Sequence, residues 1–288
     1  MKVIVAKRAG FCFGVRRAID IAFDVAKRKK GGVFTFGPLI HNPQVIEKLK
    51  EVGVMPVSNL KDLGKRNIQA IIIRTHGIPF QKMQLLSQKK GYEIVDATCP
   101  FVKKAQQYAK LLKEEGYQVI ILGDKHHPEV KGIISYAGKG SAVVSVESPL
   151  RTLRERVGIV VQTTQPIDSL KKLLSRAIEK TKEIKVYNTI CNSTRLRLKE
   201  TEEMADRVDA MVVVGGKNSA NTTQLANLSR SLSVPTYHIE TSDELKKNWF
   251  KGAKTVGITA GASTPDWIIN DVKKRVKDIG GSLCYGNP

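Results

Sequence analysis

Cys12, Cys99 and Cys191 are the residues around which chemistry could be built. They lie roughly ninety residues apart, and each closes a short β-rich run: VIVAKRAGFC, YEIVDATC and VYNTIC. A segment with helical periodicity follows each one. This shared phase places three thiols at equivalent strand ends, pointing toward one place. Three thiolates around a point suit a metal cluster with one coordination site left for a substrate. Zinc is usually held by closely spaced ligand pairs, and no C-x-x-C occurs here. An iron–sulfur cube, which normally takes four cysteines, fits better. With three, one iron keeps an exchangeable position and can act as a Lewis acid toward a substrate oxygen. A lone cysteine is most often a small buried hydrophobe; it is the common phase that sets these three apart. Cys284 leaves an alternative open. It ends GGSLC, which reads as another strand, and as a fourth ligand it would make the cluster an electron carrier. Cys12 already fills that strand-end position, so the reading preferred for Cys284 is structural or inert.

The elements that position these residues repeat as well. After each cysteine comes an amphipathic helix, carried by Val15, Ala18, Ile19, Ala22 and Ala26, then by Val102, Ala105, Ala109 and Leu112, and more weakly by Met204, Ala205 and Val208. A β-rich run then ends at Gly37, Gly123 or Gly215, each about two dozen residues after its cysteine. Polar loops lead on into further helices, with Pro43 and Pro128 suited to a first turn. A third strand leads to SNLKDL, SPLRTL or TSDEL, each a polar cap before a short helix. Thr241 and Glu244 have capping-box spacing. Fourth strands end in polar loops closed by Pro79, Pro166 and Pro265. Alternating strands and helices imply parallel sheets. The expected fold is therefore α/β: three small domains of about four strands each, related by a pseudo-threefold axis. Residues 13–98, 99–190 and 191–288 form the repeats, and residues 1–12 add a strand to the third sheet.

The loops beyond the strand ends carry the other candidates. His41, His127 and Asn221 follow the first set of glycines. His76, Thr163 with Thr164, and Ser263 occupy the second set. Each alone reads as a cap or a satisfied loop residue. Together they ring the cluster with neutral donors at helix N-termini, which favour phosphate. Glu129 is the one carboxylate among them. It could simply complement a helix dipole; its sharper reading is a proton source, relayed by Thr163 or Thr164. No Walker motif, dinucleotide fingerprint or H-E-x-x-H is present, so nucleotide hydrolysis and zinc proteolysis have no support.

The 288 residues carry 48 basic and 27 acidic side chains, a formal net charge of +21. Much of this charge reads as solvated helix surface, and the rest could serve an anionic ligand or an acidic donor protein. With 6% aromatic residues and no RNA-binding motif, nucleic acid is not the expected partner. A ribosome-associated role stays as the contrasting reading of the charge, with salt-sensitive RNA affinity as its signature. No apolar run approaches the ~18 residues of a membrane span. Lys7 and Arg8 interrupt the N-terminal apolar stretch, which excludes a secretory signal. Four cysteines without extracellular features point to the cytoplasm.

At nine segments the chain resembles the 4-hydroxy-3-methylbut-2-enyl diphosphate reductases, the LytB/IspH family of isoprenoid biosynthesis. They are GFCFGVRRAI, GPLIHNPQV, RTHGIP, DATCP, HHPEVKG, QTTQP, NTICNST, GGKNSANTTQL and TAGASTPDW, in that family's order. The resemblance implies a three-domain trefoil around a [4Fe–4S] cluster on Cys12, Cys99 and Cys191. It implies reductive removal of the substrate hydroxyl as water, giving isopentenyl and dimethylallyl diphosphate. Diphosphate contacts fall on His41, His76, His127, Ser219, Asn221 and Ser263. The catalytic acid falls on Glu129, and the threonine beside the substrate hydroxyl on Thr163. The basic surface suggests an acidic ferredoxin or flavodoxin as electron donor. Two positions depart from the family pattern, which often has a serine where Ala220 stands and a glutamine where Leu198 stands. An iron–sulfur dehydratase resembling quinolinate synthase is the alternative enzyme.

Overall fold

The structure, a computed structural model, describes residues 1–59, 67–150 and 152–284, with the backbone alone for 282–284. The chain divides into two compact units. One comprises Met1–Arg16, His41–Glu47 and Asn192–Pro288, the other Arg17–Ile40 and Lys48–Cys191.

The elements follow the repeat. Strand β1 (Lys2–Val5) leads through Cys12 into α1 (Phe13–Lys29), followed by β2 (Val33–Phe36), α2 (Pro43–Glu51) and β3 (Val54–Val57). Next come β4 (Ala70–Ile73), α3 (Phe80–Gln88) and β5 (Glu93–Asp96), which leads to Cys99. The second copy has α4 (Pro100–Glu114), β6 (Gln118–Leu122), α5 (Pro128–Ala137), β7 (Ala142–Val144), β8 (Arg156–Val161), α6 (Ile167–Ile178) and β9 (Glu183–Tyr187), which leads to Cys191. The third has α7 (Asn192–Ala205), β10 (Ala210–Val214), α8 (Ala220–Ser231), β11 (Thr236–Ile239), β12 (Thr255–Ala260) and α9 (Asp266–Cys284).

Three four-stranded parallel sheets result, ordered β3-β2-β4-β5, β7-β6-β8-β9 and β11-β10-β12-β1. The orders correspond strand for strand. The N-terminal strand β1 takes the edge that β5 and β9 hold in the other sheets, and all three edge strands run on to a cysteine. The central strands are near-continuous Ile and Val, as parallel strands covered on both faces should be; β4, β6 and β10 are buried along their whole length. Of the expected helix faces, Val102, Ala105, Ala109 and Leu112 are all buried, as are Ala18, Ile19 and Ala22. In α1 the last core position is Val25 rather than Ala26.

Several local expectations shift. Pro43 and Pro128 open their helices, whereas Pro79 and Pro166 stand one residue outside, as N-caps. TSDEL forms a 3-10 turn with the expected Thr241–Glu244 capping box. SPLRTL forms no helix among its described residues. There the Gln118 side chain takes the chain's polar groups instead: its amide donates to Gly140 and Thr152 carbonyls and its oxygen accepts the Arg154 N–H. SNLKDL falls largely on 60–66, outside the described residues. GGSLC is not a strand but the end of α9, because β1 already pairs with β12 along that edge. No helix of the described residues is long and apolar enough to cross a membrane.

Candidate active site

Each cysteine sits between a strand end and a helix N-terminus, and the same backbone bond fixes each one. The amide of Cys12 donates to the Ala262 carbonyl at 3.2 Å, that of Cys99 to Thr75 at 2.9 Å, and that of Cys191 to Thr163 at 2.8 Å. The three acceptors stand two residues beyond the ends of β12, β4 and β8. All three thiols are partly exposed and none is in a disulfide. Helix N-termini carry positive partial charge, which complements an anionic sulfur ligand. An all-thiolate donor set on three equivalent, partly open stations is the chemistry an iron–sulfur cluster takes. By the chemistry of its donor, each station taken by itself suits that group.

In the larger unit, Thr163 joins one of these stations to a buried acid. Glu129 is the second residue of α5 and is 1% exposed. Its Oε1 accepts the Thr163 N–H at 2.7 Å, and its Oε2 accepts the Thr163 hydroxyl at 2.9 Å. Burial pushes the Glu129 carboxyl up to about 7, against the two Thr163 hydrogen bonds, which pull it down. It can thus hold or release a proton near neutral pH. Of the two candidate relays, it is Thr163 that bonds Glu129. Thr163 is a hub: its N–H and hydroxyl meet the acid while its carbonyl holds the Cys191 amide.

His127 caps α5, and its Nδ1 accepts the Glu129 N–H at 3.2 Å. In the neutral ring the proton then resides on Nε2, which makes that edge a donor. The His76 ring meets it edge-to-face, with centroids 5.2 Å apart. His76 follows Thr75, whose hydroxyl bonds the Leu39 carbonyl at 3.0 Å and lies 3.4 Å from His76 Nδ1. This unit therefore brings together Cys99, Cys191, His76, His127, Glu129 and Thr163 through a few short links.

The smaller unit holds Cys12, His41, Ser219, Asn221 and Ser263. Asn221 is buried, and its Oδ1 accepts the Ala262 N–H at 3.0 Å. With its oxygen so engaged, the amide NH₂ is the edge left for a ligand. Ala262 is thereby held at both ends, since its carbonyl takes the Cys12 amide. The Ser263 hydroxyl bonds the His41 carbonyl at 3.3 Å. Ser219 caps α8 by accepting the Thr222 N–H at 3.4 Å. Ala220, one of the two departures, is the exposed first residue of α8. Leu198, the other, packs against Val213, Leu225 and Ala226, so an apolar neighbourhood accounts for the missing amide. The side chain of Cys284 lies outside the described residues.

The acceptors Thr75 and Ala262 are not marked by residue type, because a backbone carbonyl is common to every residue. Their one signal is repeat phase, since each lies two residues beyond its strand end. Buried Gln162 accepts the Asp124 N–H through Oε1 at 2.9 Å and so fixes the turn ahead of His127.

Comparison with known proteins decides the family. The family model for LytB protein matches residues 3–277. The chain belongs to the LytB family. Among its relatives, 4-hydroxy-3-methylbut-2-enyl diphosphate reductase of Pelobacter propionicus is 50% identical over 281 residues, covering 97% of this chain and 99% of that one. The enzyme of that name from Aquifex aeolicus is 47% identical, covering 96% of each. A solved (E)-4-hydroxy-3-methyl-but-2-enyl diphosphate reductase, described as the terminal enzyme of the non-mevalonate pathway, superposes with a TM-score of 0.71 at 44% identity, covering 96% of this chain and all of that one. The structure of E-1-hydroxy-2-methyl-but-2-enyl-4-diphosphate reductase from Plasmodium falciparum superposes with a TM-score of 0.85 at 27% identity, covering 96% of this LytB chain and 87% of that one.

Proposed function

We propose that this chain converts (E)-4-hydroxy-3-methylbut-2-enyl diphosphate to isopentenyl and dimethylallyl diphosphate, by two electrons and two protons with loss of water. The observation that carries this reading is the buried Glu129–Thr163 couple, one backbone bond from Cys191. A hydroxyl is a poor leaving group, and a buried acid titrating near neutrality is suited to protonate it as it departs. Cys12, Cys99 and Cys191 would hold a [4Fe–4S] cluster, which when bound supplies electrons and a Lewis-acidic iron. Glu129 passes its proton to Thr163 Oγ as Thr163 gives its own to the departing oxygen, so the pair ends one proton poorer. His41, His76, His127, Ser219, Asn221 and Ser263 bind the diphosphate through their hydrogen-bond donors. The three repeats at 13–98, 99–190 and 191–288, the last completed by residues 1–12, are proposed as its domains. An acidic ferredoxin or flavodoxin is the proposed donor, in the cytoplasm. The names of the relatives do not favour the quinolinate-synthase-like alternative.

The test is an anaerobic assay with reduced viologen and the hydroxymethylbutenyl diphosphate. Viologen oxidation with both isoprene diphosphates as products is the expected result. No oxidation by protein carrying its full iron and sulfide would sink the reading.

A further inference from the structure

Two arginines with no part in that proton and phosphate chemistry grip the backbone beside two of the three cysteines. Arg197, on α7, is 2% exposed. Its Nη1 donates to the Ala260 carbonyl at 2.8 Å and to the Arg8 carbonyl, and its Nη2 donates to the Gly10 carbonyl at 3.0 Å. Gly10 lies two residues before Cys12. One turn further along α7, the Glu200 carboxylate accepts the N–H groups of Lys7 and Arg8 at 2.7 and 2.9 Å. The loop has little room to yield: Gly10 has φ of 94°, and a Cβ there would come within 2.9 Å of Asp266 Oδ1. In the other unit Arg17, on α1, repeats the grip. Its Nη1 lies 3.3 Å from the Thr98 carbonyl and its Nη2 3.4 Å from the Asp96 carbonyl. Thr98 directly precedes Cys99. At the third station a neutral hydroxyl serves instead, with Thr189 Oγ1 accepting the Val161 N–H at 2.9 Å.

A guanidinium stays protonated at any working pH and presents a rigid fork of donors. Carbonyl partners satisfy those donors with dipoles and leave the charge itself felt by neighbours. Around buried Arg197 that charge acts over several ångströms with little screening, and around half-buried Arg17 with somewhat more. Glu200 has the opposite charge but sits at the more exposed end of the loop, where solvent screens it. A cluster on thiolates is a negative group that must accept further electrons, and a fixed positive charge nearby eases each addition.

We propose that Arg197 and Arg17 are positioning residues that orient Cys12 and Cys99 and, through their charge, raise the reduction potential of the cluster those thiols hold. The proposal rests on the cluster assignment above and is independent of the substrate. The experiment is a substrate-free redox titration of the cluster-loaded protein, followed by electron paramagnetic resonance, with iron and sulfide measured on the same samples. Arg197→Gln and Arg17→Gln should each disfavour reduction about tenfold, which is 59 mV for a one-electron couple. Arg197→Lys and Arg17→Lys, which keep the charge, should restore most of that shift. Gln variants with the parent potential, or Lys variants displaced as far as Gln, overturn the proposal. Should Arg197→Gln fail to fold, the pair at the less buried Arg17 decides. A parent protein that takes up no cluster overturns this proposal together with the cluster assignment. A full cluster with the expected shifts but no turnover supports it while removing the reductase reading.

Discussion

Replacing Glu129 by glutamine removes a proton donor and leaves the shape of its pocket. The Gln oxygen can still accept the Thr163 N–H, and its NH₂ can donate to Thr163 Oγ where the carboxylate had accepted. Cluster content and diphosphate binding should therefore survive, while turnover falls by roughly 10²–10⁴, the usual worth of a positioned general acid. The parent carboxyl titrates at about 7. It is about half protonated at pH 7 and about one-tenth at pH 8. Turnover that needs the proton should fall along that curve on the alkaline side, and the residual activity of Glu129→Gln should lack that limb.

The same shift makes an independent prediction for stability. The folded value of about 7 lies above the ordinary 4.5. The native state therefore binds the proton more tightly than the unfolded chain does. That contribution is fully present below pH 4.5 and is lost as pH rises through 7; across the window it amounts to about 3 kcal/mol. Glutamine never ionises, so the variant should match the parent near pH 4.5 and exceed it at pH 8. Steady-state rates from pH 6 to 9 and melting curves at the two pH extremes read both effects. Near-parent turnover, or a parent rate that stays flat through pH 7 to 8, would refute the assignment.

Three further substitutions bear on separate parts of the argument. Thr163→Val keeps the backbone bonds to Glu129 and Cys191 but removes the relay. Turnover should drop at least tenfold, the alkaline limb should move to higher pH because the carboxylate loses a stabilising donor, and Thr163→Ser should recover most of the rate. Gly158→Ala, on β8, places a Cβ 2.7 Å from the Leu112 side chain and should lower stability by about 1–3 kcal/mol, read as a reduced thermal midpoint with turnover retained at low temperature. Cys284→Ser should leave iron content and turnover unchanged, and loss of the cluster would restore Cys284 as a ligand.

The parts legible in the sequence were those written in periodicity. The β1 edge position, the buried face of α4 and the three strand-end cysteines follow from repeat phase alone, because strand and helix periods fix which residues face the core. Contacts made by backbone atoms or across long separations were not legible. Nothing in the composition of QTTQP says which threonine meets Glu129, since that depends on a turn placing Thr163 toward α5. GGSLC misled because glycine and small apolar residues suit either a strand or a helix end, and the edge it would have filled belonged to a strand from the other end of the chain.

The repeat also explains why only one copy supplies an acid. The second residues of α2, α5 and α8 are Gln44, Glu129 and Asn221. Glu129 and Asn221 do the same job: each accepts the N–H of the residue whose carbonyl holds a cysteine amide, Thr163 for Cys191 and Ala262 for Cys12. In the first copy the corresponding Thr75 N–H goes to the Leu39 carbonyl instead, at 3.2 Å. The backbone arrangement that fixes each sulfur tolerates any acceptor at this station. An amide suffices to hold Cys12, and no side chain is needed to hold Cys99. A carboxylate, costly to bury, therefore has no structural necessity at Glu129, where a glutamine or asparagine would satisfy the same N–H. What distinguishes it is the proton, and Thr163 is the one acceptor of the three whose hydroxyl is bonded to such an acid. Each copy fixes its cysteine amide in the same way, and the proposed acid chemistry falls where one copy departs from the other two.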